Sequence, residues 1–205
     1  MRTCKSTNMT PPKAEIDMLL GCDISHYNLV NKMDYGRYDF YIIKATEGKS
    51  FIDKKWKTHL SHVLMKKKLY GFYHYARPEY NTPEVEAEHF VKQVGKYAGN
   101  CIYTLDWEDN ALRFPVQWAL DWLNKVYELT GVKPLIYCQA SYCKKLTPIF
   151  KANYGLWVAQ WNKTIKKPNT GVYPFYAIWQ YTNEPIDLDK FNGNIEQWYA
   201  YCRRG

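Results

Sequence analysis

Seven near-continuous apolar runs, most of them closing on a polar or acidic residue, constrain this chain more than any other feature. They read MLLGCD, FYIIKAT, LYGFYHY, CIYTLDW, PLIYC, LWVAQ and YAIWQYT, and a short eighth lies near PIDLD. Apolar runs that do not alternate mark strands covered on both faces. Longer amphipathic stretches separate the early ones. DKKWKTHLSHVLMKKK spaces Trp56, Leu60, Val63 and Leu64 near the helical period. TPEVEAEHFVKQVGKY opens with Thr82 as an N-cap, Pro83 at the first helical position and acids in the early turns. FPVQWALDWLNKVYELTG sets Trp118, Trp122 and Val126 four apart and closes on Gly131 as a C-cap.

Strands alternating with helices argue for a parallel sheet, open or closed, and about eight strands favour a barrel. The final third leaves little room for helices. The expected fold is therefore α/β, an irregular TIM-like (β/α) barrel in a single domain over residues 18–205. Residues 1–17, polar and containing PP, read as a loosely ordered leader. At 205 residues, 46% hydrophobic, the chain suffices for one sizeable core.

The N-terminus has no continuous apolar segment like that of a signal peptide. No stretch approaches the roughly 20 apolar residues of a membrane span. The expectation is synthesis in the cytoplasm without a signal peptide, no membrane insertion and a monomer. The six Cys form no CxxC pair and no zinc-type cluster with His, so they read as reduced, buried thiols. The net charge of +8 suits an anionic partner or plain solubility equally well.

In a β/α barrel, the C-terminal ends of the strands share one face, where the chemistry sits. Here those ends carry Asp23, Glu47, His74, Tyr75, Asp106, Glu108, Gln180, Tyr181, Asp187 and Asp189. Strand alternation puts Asp106 and Glu108 on one face and Trp107 and Asp109 on the other. Two carboxylates roughly 7 Å apart in a low-dielectric cleft repel each other, and one keeps its proton towards neutral pH, as a general acid must.

Blander readings stand beside each. Asp106 and Glu108 could be a solvated loop entry, Asp23 a turn former, Lys44 and Glu47 an ion pair, and His74 a satisfied core residue. The MKKK run is most simply a helix C-terminus. No dinucleotide fingerprint, P-loop or G-x-S-x-G elbow is present. An acidic cluster could also hold Mg²⁺ or Ca²⁺ for a phosphoesterase, although neither a metal nor another cofactor is expected.

GCDISHYN, YIIKATEG, YGFYHY, YTLDWED, KPLIYC, LWVAQW, IWQYT and IDLDKFNG occur in this order. Over residues 19–202 the chain resembles the muramidases of glycoside hydrolase family 25, the Chalaropsis-type lysozymes. The resemblance implies an irregular β/α barrel that cuts the β-1,4 bond between N-acetylmuramic acid and N-acetylglucosamine. It implies Glu108 as general acid and Asp106 as its catalytic partner. Asp23 matches the acid of G-x-D-x-S, and Asp187 that of D-x-N-x-F. Here the latter pattern reads DLDKF, with Asp189 where Asn is usual. Glu47, Tyr75, Trp107, Trp157, Gln180 and Tyr181 complete the expected substrate-binding set, although alternation lets only some of the aromatics face the cleft.

The implied partner is the glycan strand of peptidoglycan, not nucleic acid, reached after release or export. The setting it suggests is a phage endolysin. A wall-glycan binder without catalysis and a chitinase-type glycosidase remain alternatives, though Thr104 breaks the longer chitinase D-x-D-x-E pattern.

Overall fold

The computed structural model describes residues 18–161, 164 and 166–205. The expected leader, residues 1–17, and Cys4 within it lie outside the described residues.

The chain runs β1 (Leu19–Ile24), β2 (Phe40–Glu47), β3 (Phe51–Ile52), α1 (Trp56–Met65), β4 (Leu69–Tyr75), α2 (Pro83–Val94) and β5 (Ile102–Asp106). It continues through α3 (Val116–Thr130), β6 (Leu135–Gln139), α4 (Thr147–Lys151), β7 (Gly155–Ala159), β8 (Ile178–Thr182), β9 (Leu188–Phe191) and α5 (Ile195–Cys202). All the expected runs except the eighth become parallel strands, in the order β1-β2-β4-β5-β6-β7-β8. The eighth, β9, is antiparallel to both β8 and β1 and closes the barrel between them. Because β9 runs backwards, its first residues, not its last, lie at the mouth formed by the other strands' C-terminal ends. That reversal places Asp187 at the mouth and Asp189 one pleat deeper.

The barrel has two cores, as continuous apolar strands demand. One lies between the sheet and the helices and includes Ile43, Phe72, Leu105, Trp107, Ile136 and Val158. The other fills the lumen with Phe40, Ile42, Leu135, Trp157, Ile178 and Phe191. Lumen packing is tight where large and small residues alternate. A Cβ on Gly21 would come within 2.4 Å of the Phe40 ring, and one on Gly71 within 2.8 Å of the Ile102 carbonyl oxygen.

The expected helix ends hold in part. Gly131 takes the left-handed conformation (φ 72°), and its N–H bonds the Tyr127 carbonyl at 2.8 Å, closing α3. Thr82 is extended and Pro83 opens α2, but the Thr82 side chain makes no capping bond. The anchor there is Glu86, fully buried, which accepts from His74 Nε2 at 2.8 Å and from the Arg77 backbone N–H. His74 is thus a core residue on the helix side of β4; burial holds its pKa below the ordinary value, against the pull of Glu86.

Helix α5 has no counterpart among the expected elements. A capping box opens it: Gln197 N–H donates to Asn194 Oδ1 at 3.0 Å and Asn194 N–H to Gln197 Oε1 at 2.9 Å. It carries Trp198 into the lumen core, against Phe40 and Phe191 at ring separations of 4.8 and 5.2 Å. The five described cysteines are free and buried. No described helix is long and apolar enough to cross a membrane.

Candidate active site

The mouth of the barrel opens into a cleft of about 320 Å³. Strand β5 delivers Asp106 into it, in register between Tyr75 of β4 and Tyr137 of β6. The backbone stays extended through Glu108, at φ −142° and ψ −176°, so Glu108 faces the cleft two residues on. At Asp109 the chain turns into the left-handed region (φ 49°), and its carboxylate leaves the cleft to accept the Tyr75 hydroxyl at 2.7 Å. Asp tolerates that conformation better than most residues.

Opposite β5 a hydrogen-bonded network fixes the floor. Gln180 Nε2 donates to Asp23 Oδ2 at 2.7 Å. Gln180 Oε1 accepts from the Tyr137 hydroxyl at 3.0 Å and from Trp161 Nε1 at 2.9 Å. Trp157 Nε1 donates to Asp189 Oδ1 at 2.9 Å. These bonds tie β1, β6, β7, β8 and β9 together beneath the cleft. Asp106 Oδ1 is buried without a hydrogen-bond partner among the described residues, as a group awaiting a ligand donor would be.

So many acids in one dry place cannot all ionise near neutral pH. Burial, then Asp109 and Asp187, push Glu108 up to about 7. Burial and the neighbouring Glu108 hold Asp106 well above the usual carboxyl range, against the opposing charge of Lys44. Asp23 is raised by burial and by Asp187, with the Gln180 donor opposing. Burial raises Asp187 as well. The Asp106–Glu108 pair therefore retains a proton at neutral pH. That combination, a protonated acid beside a second carboxyl, suits proton delivery to a leaving oxygen and stabilisation of the positive charge that develops behind it.

Six of the expected site residues meet here: Asp23, Asp106, Glu108, Trp157, Gln180 and Asp187. Four do not. Trp107 is fully buried on the helix side of the sheet and stacks on Trp118 at 5.6 Å, because alternation turns it away from its acidic neighbours. Tyr181 follows Gln180 and so faces outward, with the Lys190 ammonium 4.7 Å from its ring. Glu47 is held by Lys44 at 2.8 Å and Arg77 at 2.6 Å; burial would raise it, but these two cations outweigh burial and lower it. Tyr75 is bonded to Asp109, with Lys44 and Arg77 over its ring. The last two sit on the rim.

The cleft also contains Tyr73, one of the strand-end aromatics expected as a sugar-stacking candidate, and Tyr137, Trp161 and Asn183, which were not expected. Tyr73 and Tyr137 each lie two residues before a strand's last position, so the alternation that linked Asp106 to Glu108 identifies them too. Trp161 lies beyond β7, and no periodicity reaches it. Among the described residues, no three His, Cys, Asp or Glu side chains are grouped so as to hold a metal ion.

The family model for glycosyl hydrolases family 25 matches residues 22–189. The protein YegX of Escherichia coli (strain K12) is 29% identical over 183 residues, 80% of this chain and 63% of that protein. The chain thus spans less than two thirds of that relative's length. The N,O-diacetylmuramidase of Chalaropsis sp is 28% identical over 185 residues, 78% of this chain and 86% of that one. The structure of a family 25 lysozyme from Aspergillus fumigatus is similar with a TM-score of 0.79 at 26% identity, covering 91% of this chain and 99% of that one.

Proposed function

The chain belongs to family 25 of the glycosyl hydrolases, and from that premise we infer that it is a muramidase. It cleaves the β-1,4 bond between N-acetylmuramic acid and N-acetylglucosamine in peptidoglycan. The observation that carries this reading is the pair Asp106 and Glu108, two positions apart at the end of β5, enclosed in one cleft and raised above the ordinary carboxyl range.

Glu108, protonated, gives its proton to the glycosidic oxygen as the C1–O bond breaks. The electron demand at C1 is met by the substrate's own 2-acetamido oxygen, which closes a ring on C1. Asp106 orients the amide and balances the positive charge it gains. Water then opens the ring, and the Glu108 carboxylate takes the water's proton, restoring the starting state. This is the substrate-assisted route open to 2-acetamido sugars. Trapping a glycosyl ester on Asp106 would replace it with a direct nucleophilic mechanism.

Mass spectrometry of digested peptidoglycan tests the activity. Reducing-end muramic acid is expected. Reducing-end glucosamine or free stem peptides would overturn the reading. Glu108→Gln keeps the shape of the site and removes the proton, so the cleavage rate should fall by about 10²- to 10⁴-fold.

A further inference from the structure

Acids gather at one pole of the barrel. The other pole carries a second, larger cavity of about 530 Å³. Lys133 lies just before β6, Gly155 is the first residue of β7 and Ala177 lies just before β8, and all three line it. These are the N-terminal ends of strands whose opposite ends form the cleft.

The two poles differ in kind: four acids and no cation line the cleft. Every charged side chain lining the second cavity is a cation: Lys133, Arg203 and Arg204. None of the three forms an ion pair among the described residues. The remaining wall is largely aromatic, with Tyr127, Phe150, Tyr154, Tyr173, Phe175 and Tyr201. Lys133 Nζ lies 5.6 Å from the Tyr127 ring and 5.3 Å from the Tyr154 ring, so its charge is held at the aromatic wall. Lys133 Nζ also donates to the Ala152 carbonyl at 3.2 Å and Arg204 Nη2 to the Ala98 carbonyl at 3.1 Å, so both are anchored by backbone without being neutralised. Phe175 is 57% exposed and Phe150 40% exposed, which leaves flat apolar rings uncovered beside these cations.

We propose that this cavity binds an anionic wall glycan, a chain of sugars or polyols joined by phosphodiesters. Arg and Lys pair with phosphate oxygens, and aromatic faces receive the apolar faces of rings and carbon chains. The cleft offers such a chain no cation, so the glycan to be cut and the polyanion to be held occupy separate poles. The net charge of +8 favours the same partner over distance. The proposal rests on the muramidase reading only for bringing the protein to a cell wall.

Titration calorimetry of the full chain with purified poly(glycerol phosphate) tests it. Phe175 and Arg203 are exposed and lie outside the cleft, so Phe175→Ala combined with Arg203→Glu should fold. The melting temperature of the double variant, and its binding of a short neutral glycan at the cleft, report its fold. Wild type should bind the polymer, more weakly as salt rises, and the double variant about tenfold more weakly than wild type. No binding by wild type, or equal affinity in both proteins, overturns the proposal. So does tighter, Arg203-dependent binding of an oligothymidylate of matched charge, which would make the cavity a nucleic-acid site. The titration requires no turnover, so a failure of the muramidase reading leaves its result legible.

Discussion

Gln180 Nε2 reaches Asp23 Oδ2 at 2.7 Å across 157 positions of sequence, joining β1 to β8, the first barrel strand to the seventh. The same side chain accepts from Tyr137 and Trp161, so one amide orients three cleft residues. Gln180→Ala leaves a buried carboxyl and a buried phenol without their partners. Stability should fall by about 1–3 kcal/mol, the cost of such orphaned groups, and the cleavage rate with it. Denaturant unfolding and steady-state kinetics on the same preparation separate the two effects. Wild-type rates in a destabilised variant would show that the network serves the fold alone.

The proton on Glu108 sets the pH range of activity. With its pKa at about 7, the acid is charged and inactive above that value, so the rate should fall as pH rises through about 7. Asp109 contributes to that elevation after burial itself. Asp109→Asn removes the nearby charge while keeping an acceptor for the Tyr75 hydroxyl. The alkaline limb of the pH–rate profile should then move to lower pH. An unmoved limb would mean that Glu108 is not the group being titrated.

Much of this site was legible because strand ends carry their chemistry locally. A continuous apolar run closing on an acid or an amide specifies both a buried strand and its mouth, which suffices for Asp23, Asp106, Glu108 and Gln180. What alternation could assign, it assigned only where it was applied. Trp107 and Tyr181 are placed outside the cleft by the same rule that places their neighbours within it. The direction of β9 was not legible, because a four-residue strand pairs as readily in either sense and only closure against both β1 and β8 selects one. Glu47 and Tyr75 depend on Arg77 and Asp109, partners brought near them by pairing between strands and by the loops that follow. Helix α5 did leave a local mark, the Asn194–Gln197 capping box, at the end of a stretch that looked too short for a helix.

That helix closes the lumen with a single large ring. Trp198 is fully buried against Phe40 and Phe191. Trp198→Ala should cost about 3–5 kcal/mol, as loss of a large core aromatic does, since the rigid strands cannot collapse into the space. Chemical denaturation reads it. A loss below about 1 kcal/mol would mean that α5 docks on the barrel without contributing to its core.

Asp189 is the second acid of DLDKF, and its burial has a testable physical consequence. It is fully buried, and burial and Asp23 hold its pKa well above the usual range. Its Oδ2 has no donor among the described residues, so Asp189 and Asp23 can bond each other only if one keeps a proton. Asp23, Asp106, Glu108, Asp187 and Asp189 all hold protons more tightly folded than unfolded. Their contribution to stability is fully present below the ordinary carboxyl pKa of about 4 and is lost as pH rises through the raised values. Asp189→Asn replaces a shared proton with a permanent N–H donor towards Asp23 and keeps an oxygen for Trp157. The variant should match wild type in melting temperature at pH 4 and exceed it at pH 8. Equal melting temperatures at both pH values would mean that Asp189 is already relieved of its charge by a contact other than Asp23.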